Sequence, residues 1–440
     1  MALNQSTQFK IIKLYIHDKE NTVKLDIQNL FDELNIFESI LFPCMSGNIV
    51  ITDAIGLSSK LNFDGNQYIT MEIQKGSERN ESGTADVFLE RRFVLWKQTD
   101  RKELNQTSEM YTLHFVSEEF LLSTQKKVKQ SYKGTYSDIV LAILKDHLKL
   151  EYTTPQIGHF LPSKGLHTFN VPNLSPFEAI NYISKRAINE KGLADYIFWQ
   201  TQYGYNFISL STISSYSDPL ATITFGVKNV DEITTEEEMF GARDVRVISQ
   251  FDVMDSISQG AHSGKFIGFD TLTGQVVTKE LSFEKDIYSL EKNRMNKNNV
   301  IRKVYNKENK SSFEMYDSKV TLYPFHEKRI DSSHLKKKDS NLITYMDDTH
   351  NYVYQRSALI NNLMQKRIRI TMPGYFGYYP GYSVNLLYPK RFAEKDGNMY
   401  DQTLSGRYII LSARHIIRFD KHETILEVAA DSSMRGDFYE

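Results

Sequence analysis

The sequence predicts a mixed, mainly β protein with α+β insertions, and three observations predict it. Short runs of period-two alternation recur over the first ~120 residues and again from about residue 240. Between them, over about 131–230, apolar residues recur at helical spacing behind capping residues. Residues 286–353 are polar and charged, as in Asn293-Arg294-Met295-Asn296-Lys297-Asn298-Asn299, and read as a surface insertion with little core.

The elements follow in order. Ile12, Leu14 and Ile16 alternate with Lys13 and Tyr15, Ile49-Val50-Ile51-Thr52 follows Ser46-Gly47, and residues 67–73 alternate again. Runs at 88–96 and 111–115 complete at least five strands, separated by turn residues such as Asp64-Gly65-Asn66 and Ser82-Gly83. Short, even spacing predicts a small barrel or a sandwich. A helix is expected over 118–129, with Ser117 as its cap and Glu118 and Glu119 at its positive end. A second runs from Tyr136 to Leu150 with Ile139, Ile143, Leu144 and Leu148 on one face. Ser175-Pro176 opens a third, with Phe177, Ile180 and Ile183 as its stripe. Strands at 195–200 and 205–211, joined near Tyr203-Gly204, complete a compact α+β unit. Strands return at 244–248, 251–254, 265–269 and 275–278; a helix follows at 354–364, then strands at 367–372, 383–387, 406–412 and 423–429. Residues 37–53 and 251–270 each run from an aromatic through a Ser-Gly into a short apolar strand that meets an Asp, an internal echo that suggests two copies of one β fold.

Length and composition bound the function. At ~100–200 residues per domain, 440 residues make two to four domains. With only 10 prolines, long disordered linkers are not expected, and 26 Tyr with 26 Phe favour β structure and extensive interfaces. A net charge of -2 argues against a protein that grips duplex DNA by its phosphates, though not against a conduit for DNA. The single cysteine, Cys44, excludes an intrachain disulfide, and its apolar flanks predict a packed, inert thiol. Met-Ala-Leu-Asn-Gln-Ser-Thr has no basic region leading into an apolar stretch, and no run of ~18 apolar residues occurs, so neither a signal peptide nor a transmembrane helix is expected.

No motif of catalysis stands out, and no catalytic, cofactor or metal residue is assigned. There is no His-Glu-x-x-His, no phosphate-binding Gly-x-x-x-x-Gly-Lys-Ser/Thr loop and no Gly-x-Ser-x-Gly elbow. His415 and His422 flank an expected hairpin near Asp420-Lys421; a shared metal would need three or four ligands, so paired surface histidines are the simpler reading. Asp252 with Asp255, and Glu236-Glu237-Glu238, are the acids a glycosidase reading would draw on, but they read as a solvated turn and as a helix start or solvated face. Lys126, Lys127, Lys129 and Lys133 read as a polar helix face rather than a phosphate, lipid or acidic-partner contact, and Lys336-Lys337-Lys338 reads the same way. The loop Pro373-Gly374-Tyr375-Phe376-Gly377-Tyr378-Tyr379-Pro380-Gly381-Tyr382 is the outstanding aromatic feature. Stacking on sugar or base, burial in a subunit interface and a tight barrel connection are all open to it, the interface being favoured through Tyr375, Phe376, Tyr378, Tyr379 and Tyr382.

Three stretches carry a resemblance. Phe37 to Asp53 leads through Gly47-Asn48-Ile49-Val50-Ile51-Thr52-Asp53 into Asp64-Gly65-Asn66-Gln67; Phe177 to Ile183 leads to Tyr196-Ile197-Phe198-Trp199-Gln200; and Pro380-Gly381-Tyr382-Ser383-Val384 is followed by Gly406-Arg407-Tyr408-Ile409-Ile410. In this order the chain resembles the baseplate hub proteins of contractile-tailed bacteriophages, and through them the N-terminal part of type VI secretion spike proteins. The polar stretch at 286–353 has no match.

The resemblance implies a first tail-tube-like barrel over 1–130, a middle α+β domain over 131–235, a second tube-like barrel from 236–285 and 355–433, and a polar insertion at 286–354. It implies a structural, non-enzymatic homotrimer without cofactors, whose six similar barrels form a ring with a neutral or acidic lumen. Its implied partners are the tail-tube protein or a tube initiator, the central spike and surrounding baseplate wedge proteins. Viral DNA passes transiently during genome ejection, and no stable membrane association is implied. The expected location is the virion's tail baseplate, assembled in the host cytoplasm. A carbohydrate-binding or wall-hydrolysing tail component, or a secretion-type spike, are the alternatives; the chain carries no Val/Gly-rich repeat of the kind a spike's β-helical tail would show.

Overall fold

Strands β1 to β7 are Phe9–His17, Lys24–Asp26, Phe31–Ser39, Ser46–Asp53, Tyr68–Arg79, Ala85–Asn105 and Ser108–Ser117, with a one-turn helix α1 at Leu57–Lys60. They are given by a computed structural model, which describes residues 9–20, 22–61, 63–79, 85–150, 157–216, 219–225, 241–270, 274, 276–282, 295–296, 298–299, 318–325, 349–390, 399–419 and 421–434. The strands hydrogen-bond in the order β2-β1-β5-β6-β7-β4-β3. Alternation does the work predicted for it: Leu14, Ile16, Leu34, Ile36, Ile49, Ile51, Ile69, Met71 and Ile73 all turn to one core. Gly47 stands where a Cβ would collide with the Asn35 carbonyl and the Phe115 ring, so only glycine lets that ring fill the core.

The middle unit begins with α2 (Glu118–Gln125), β8 (Ser131–Gly134) and α3 (Tyr136–Leu148), followed by β9 (Ile157–Phe160), β10 (His167–Asn170) and α4 (Pro176–Ser184). It ends with the hairpin of β11 (Tyr196–Thr201) and β12 (Gly204–Ser209), then α5 (Leu210–Tyr216). Ile139, Ile143, Leu144 and Leu148 pack on Phe177, Ile180 and Ile183, so both predicted stripes meet in one core. The first helix stops at Gln125, short of the expected 129. Ser117 occupies its cap position but makes no capping bond; its hydroxyl donates to Gln200 Oε1 (2.7 Å) instead.

The second β unit uses β13 (Thr222–Phe225), β14 (Gly241–Ala242) and β15 (Asp244–Ser249). A short helix α6 (Val253–Ser258) and strands β16 (Ser263–Asp270), β17 (Val276–Ser282), β18 (Asn298–Asn299) and β19 (Lys319–Phe325) follow. Helix α7 (Thr349–Gln365) leads into β20 (Lys366–Pro373), β21 (Ser383–Leu387), β22 (Gly406–Ile417), β23 (His422–Ala430) and β24 (Ser432–Ser433). Strand β22 joins the two units. Its first half pairs with β21 and its second half, Ser412 to Ile417, pairs with β3, while β23 lies along its other edge. The switch falls at a bulge between Ile410 and Ser412, which frees the Leu411 carbonyl to accept from Ile40 N at 2.9 Å. One 14-stranded sheet results.

Four expectations are corrected. No sheet closes into a barrel among the described residues; the two β units share an edge, which removes an exposed strand edge from each in another way. The echo between 37–53 and 251–270 is not a structural repeat. The first copy is the β3–β4 hairpin of the large sheet, whereas β16 pairs with β17 and β19 in a separate three-stranded sheet covered by Tyr354 and Ala358 of α7. Gly47 makes room for Phe115 and Gly264 for Tyr354, so the shared Ser-Gly answers two unrelated packing needs. Residues 251–254 are not a strand: Asp252 caps α6 by accepting from Asp255 N at 3.0 Å. Part of the expected coreless insertion, Lys319–Phe325, runs parallel to β16. Glu236-Glu237-Glu238 and Lys336-Lys337-Lys338 lie outside the described residues.

Candidate functional site

The aromatic loop after β20 sits where all three units meet. Trp199 of β11 is fully buried there with Ile40, Ile409 and Leu411, and its Nε1 donates to the Pro380 carbonyl at 3.2 Å. Gly381 has φ +87°, and a Cβ on it would strike the Trp199 ring, so the loop's turn and the tryptophan's fit depend on the same glycine. Phe376 stacks on His422 with ring centroids 4.1 Å apart, and its carbonyl accepts from Gln202 Nε2 at 3.0 Å. Tyr378 is buried in the core of the second β unit. Tyr375 packs edge-on against Tyr378, Tyr379 against Tyr203 of the β11–β12 turn, and Tyr382 against Tyr379; these three remain half-buried. Five aromatic residues expected to act as one interface loop therefore divide. Phe376 packs in the core of the first β unit and bonds to Gln202 of the middle one, Tyr378 fills the core of the second β unit, and Tyr375, Tyr379 and Tyr382 reach the surface.

Beneath the loop lies a buried polar seam that the sequence reading missed. Glu38, on β3, is 1% exposed. Its Oε1 accepts from Gln202 N at 3.1 Å, while Oε2 has no partner among the described residues. Burial pushes this carboxyl up to about 8, against bonding to Gln202 and the charge of Arg91, so it is mostly protonated at neutral pH. Gln200 Oε1 accepts from both Met45 N (2.8 Å) and the Ser117 hydroxyl (2.7 Å), tying β11 to the first unit. The available signal was a lone acid inside the apolar stretch Ile36 to Leu41.

The other candidates resolve individually. His415 and His422 are not surface residues: both are buried across the β22–β23 hairpin, with Nδ1 of His415 and Nε2 of His422 3.2 Å apart. Burial pulls His415 down to about 3 and His422 well below its ordinary value, which keeps both neutral. No group of three or more metal-binding side chains occurs among the described residues. Cys44 is buried beside the Tyr205 hydroxyl at 3.6 Å, and burial pushes its thiol up. Asp252 and Asp255 are partners in the α6 cap. The lysine cluster is not a helix face, since α2 ends before it. Lys126 donates to the His147 carbonyl, Lys127 pairs with Glu178 at 3.2 Å, and Lys129 and Lys133 are exposed on extended chain. Among the described residues no helix is long and apolar enough to cross a membrane.

No protein-family model and no curated protein matches the chain. Solved structures do. A tail protein from Neisseria meningitidis MC58 superposes with TM-score 0.54 at 10% identity, covering 95% of this chain and 96% of that one. The 43 kDa tail protein of prophage MuSo2 from Shewanella oneidensis gives a TM-score of 0.52 at 8% identity, covering 96% and 99%. Over nearly its whole length the chain therefore has the fold of these tail proteins.

Proposed function

We propose that this chain is a structural subunit of a contractile phage tail, the hub at the centre of its baseplate. The observation that carries this reading is the likeness of fold to two tail proteins over at least 95% of both partners in each comparison. Three copies form a ring in which the two β units of each chain alternate, so that six units surround an axial channel. Such a ring reconciles a three-fold spike with a six-fold tube: it joins tube to spike, meets the wedge proteins at its rim, and passes DNA once the spike has gone. The role is mechanical rather than enzymatic, and the site of action is the virion tail.

Physical features support the reading. A sheet continuous through β3 and β22 locks the two β units of one chain in a fixed relation, as a load-bearing ring requires. A net charge of -2 suits a channel wall that does not hold phosphate. Tyr375, Tyr379 and Tyr382 are the candidate contacts with a neighbouring subunit. The test is the solution mass of the full chain by sedimentation equilibrium. The expected value is near three times 51.1 kDa; a chain that stays single at the highest soluble concentration refutes the ring.

A further inference from the structure

A cleft of about 450 Å³ opens between α2, α4, α7 and the β3–β4 turn. Ile40, Phe120, Phe177, Phe198, Leu363 and Met364 make much of its wall. Its lip is apolar too: Leu41 is 65% exposed and Phe42 is 38% exposed, with the Phe42 ring 5.3 Å from Phe120. An occupant confined to the cavity would leave that lip in water, so the surface fits something larger than the cavity.

The charge in the cleft is one-sided. Arg356 of α7 lines it, and its Nη1 donates to the carbonyls of Ser184 (3.1 Å), Ala194 (3.5 Å) and Tyr196 (2.8 Å). Its Nε and Nη2 make no hydrogen bond, and no carboxylate pairs with it, among the described residues. Burial pulls the guanidinium down to about 10, which leaves it cationic at neutral pH. Asp195, the acid whose charge it feels, has one oxygen accepting from the Ser209 hydroxyl and the other from Ser211 N. Glu178 also lines the cleft, but its carboxylate is held by Lys127 at 3.2 Å and by Ser175 N at 2.8 Å. A partly buried guanidinium whose Nε and Nη2 bond to none of the described residues, set in an apolar cleft, suits a carboxylate.

We propose that the cleft is the docking site for a segment of a partner protein in which apolar side chains flank one acidic side chain, the acid engaging the Nε and Nη2 N–H groups of Arg356. The cleft is lined by the first β unit, the middle unit and α7, so the segment bridges all three. This inference does not depend on the trimeric ring.

The test titrates the full chain with fluorescein-labelled Leu-Leu-Asp-Leu-Phe and with its Asn analogue, read by anisotropy. The Asp peptide is expected to bind ~10-fold or more tightly than the Asn peptide, the preference of a charge-assisted over a neutral hydrogen bond. Arg356→Gln removes the preference. Leu41→Lys, a change at an exposed turn that leaves the thermal midpoint unaltered, weakens both peptides. Equal binding of the two peptides, binding of neither, or indifference to Leu41→Lys overturns the proposal. Binding of dodecanoate without peptide would make the cleft a small-amphiphile site, and self-association abolished by Leu41→Lys would give it to a second copy; either result also overturns it.

Discussion

Replacing Glu38 by glutamine removes a titrating group from the seam while keeping an oxygen to accept from Gln202 N. In the folded chain this carboxyl titrates near 8 against an ordinary 4.5. Its folded-state value is raised, so the native chain holds a proton that the unfolded chain releases; the stabilising contribution is complete below pH 4.5 and is lost as pH rises to about 8. At ~1.36 kcal/mol per pH unit, the full window amounts to about 5 kcal/mol, of which about 3 kcal/mol is gone by pH 7. Glu38→Gln should therefore match the parent in acid and exceed it by about 3 kcal/mol at pH 7. Urea unfolding followed by tryptophan emission reads this locally, since Trp199 is buried in the same seam while Trp96 is 57% exposed. Parallel stability profiles for the two proteins from pH 4 to 8.5, or a variant weaker than the parent at pH 7, would refute the reasoning.

Two further substitutions probe the same architecture. Lys366 is buried with its Nζ 4.7 Å over the Tyr408 ring and without a hydrogen bond among the described residues, and burial pulls it down to about 8. The native chain thus disfavours its charge, and Lys366→Met should stabilise the chain by ~1–3 kcal/mol below pH 8, with the gain closing as pH rises from about 8 to 10.5, checked by urea midpoints across that range. Gly381→Ala forces an L side chain into positive φ and against Trp199, so a loss of ~2 kcal/mol or more with red-shifted tryptophan emission is expected; an unchanged midpoint would mean the loop is not fastened there.

Local pattern carried the elements. Alternation placed Leu14, Ile16, Ile49 and Ile51 in one core, and the helical stripes of 139–148 and 177–183 meet as their spacing requires, because side-chain direction follows from backbone period alone. Where a cap had a competitor, local pattern failed: Ser117 bonds to Gln200, more than eighty positions away, instead of its own helix. The same holds for the echo, since a Ser-Gly pair reports only that a Cβ is unwelcome, not which ring is near. Partner choice is a tertiary decision. Nothing within Gly406–Ile417 says that its second half pairs with β3 and so joins two sheets, because hydrogen bonds to a backbone carry no residue identity. Burial is likewise a tertiary outcome: His415 and His422 read as surface residues and Glu38 shows only as an acid in an apolar stretch, and the packing of β3, β22, β23 and the aromatic loop removes water from all three and favours their uncharged forms at neutral pH.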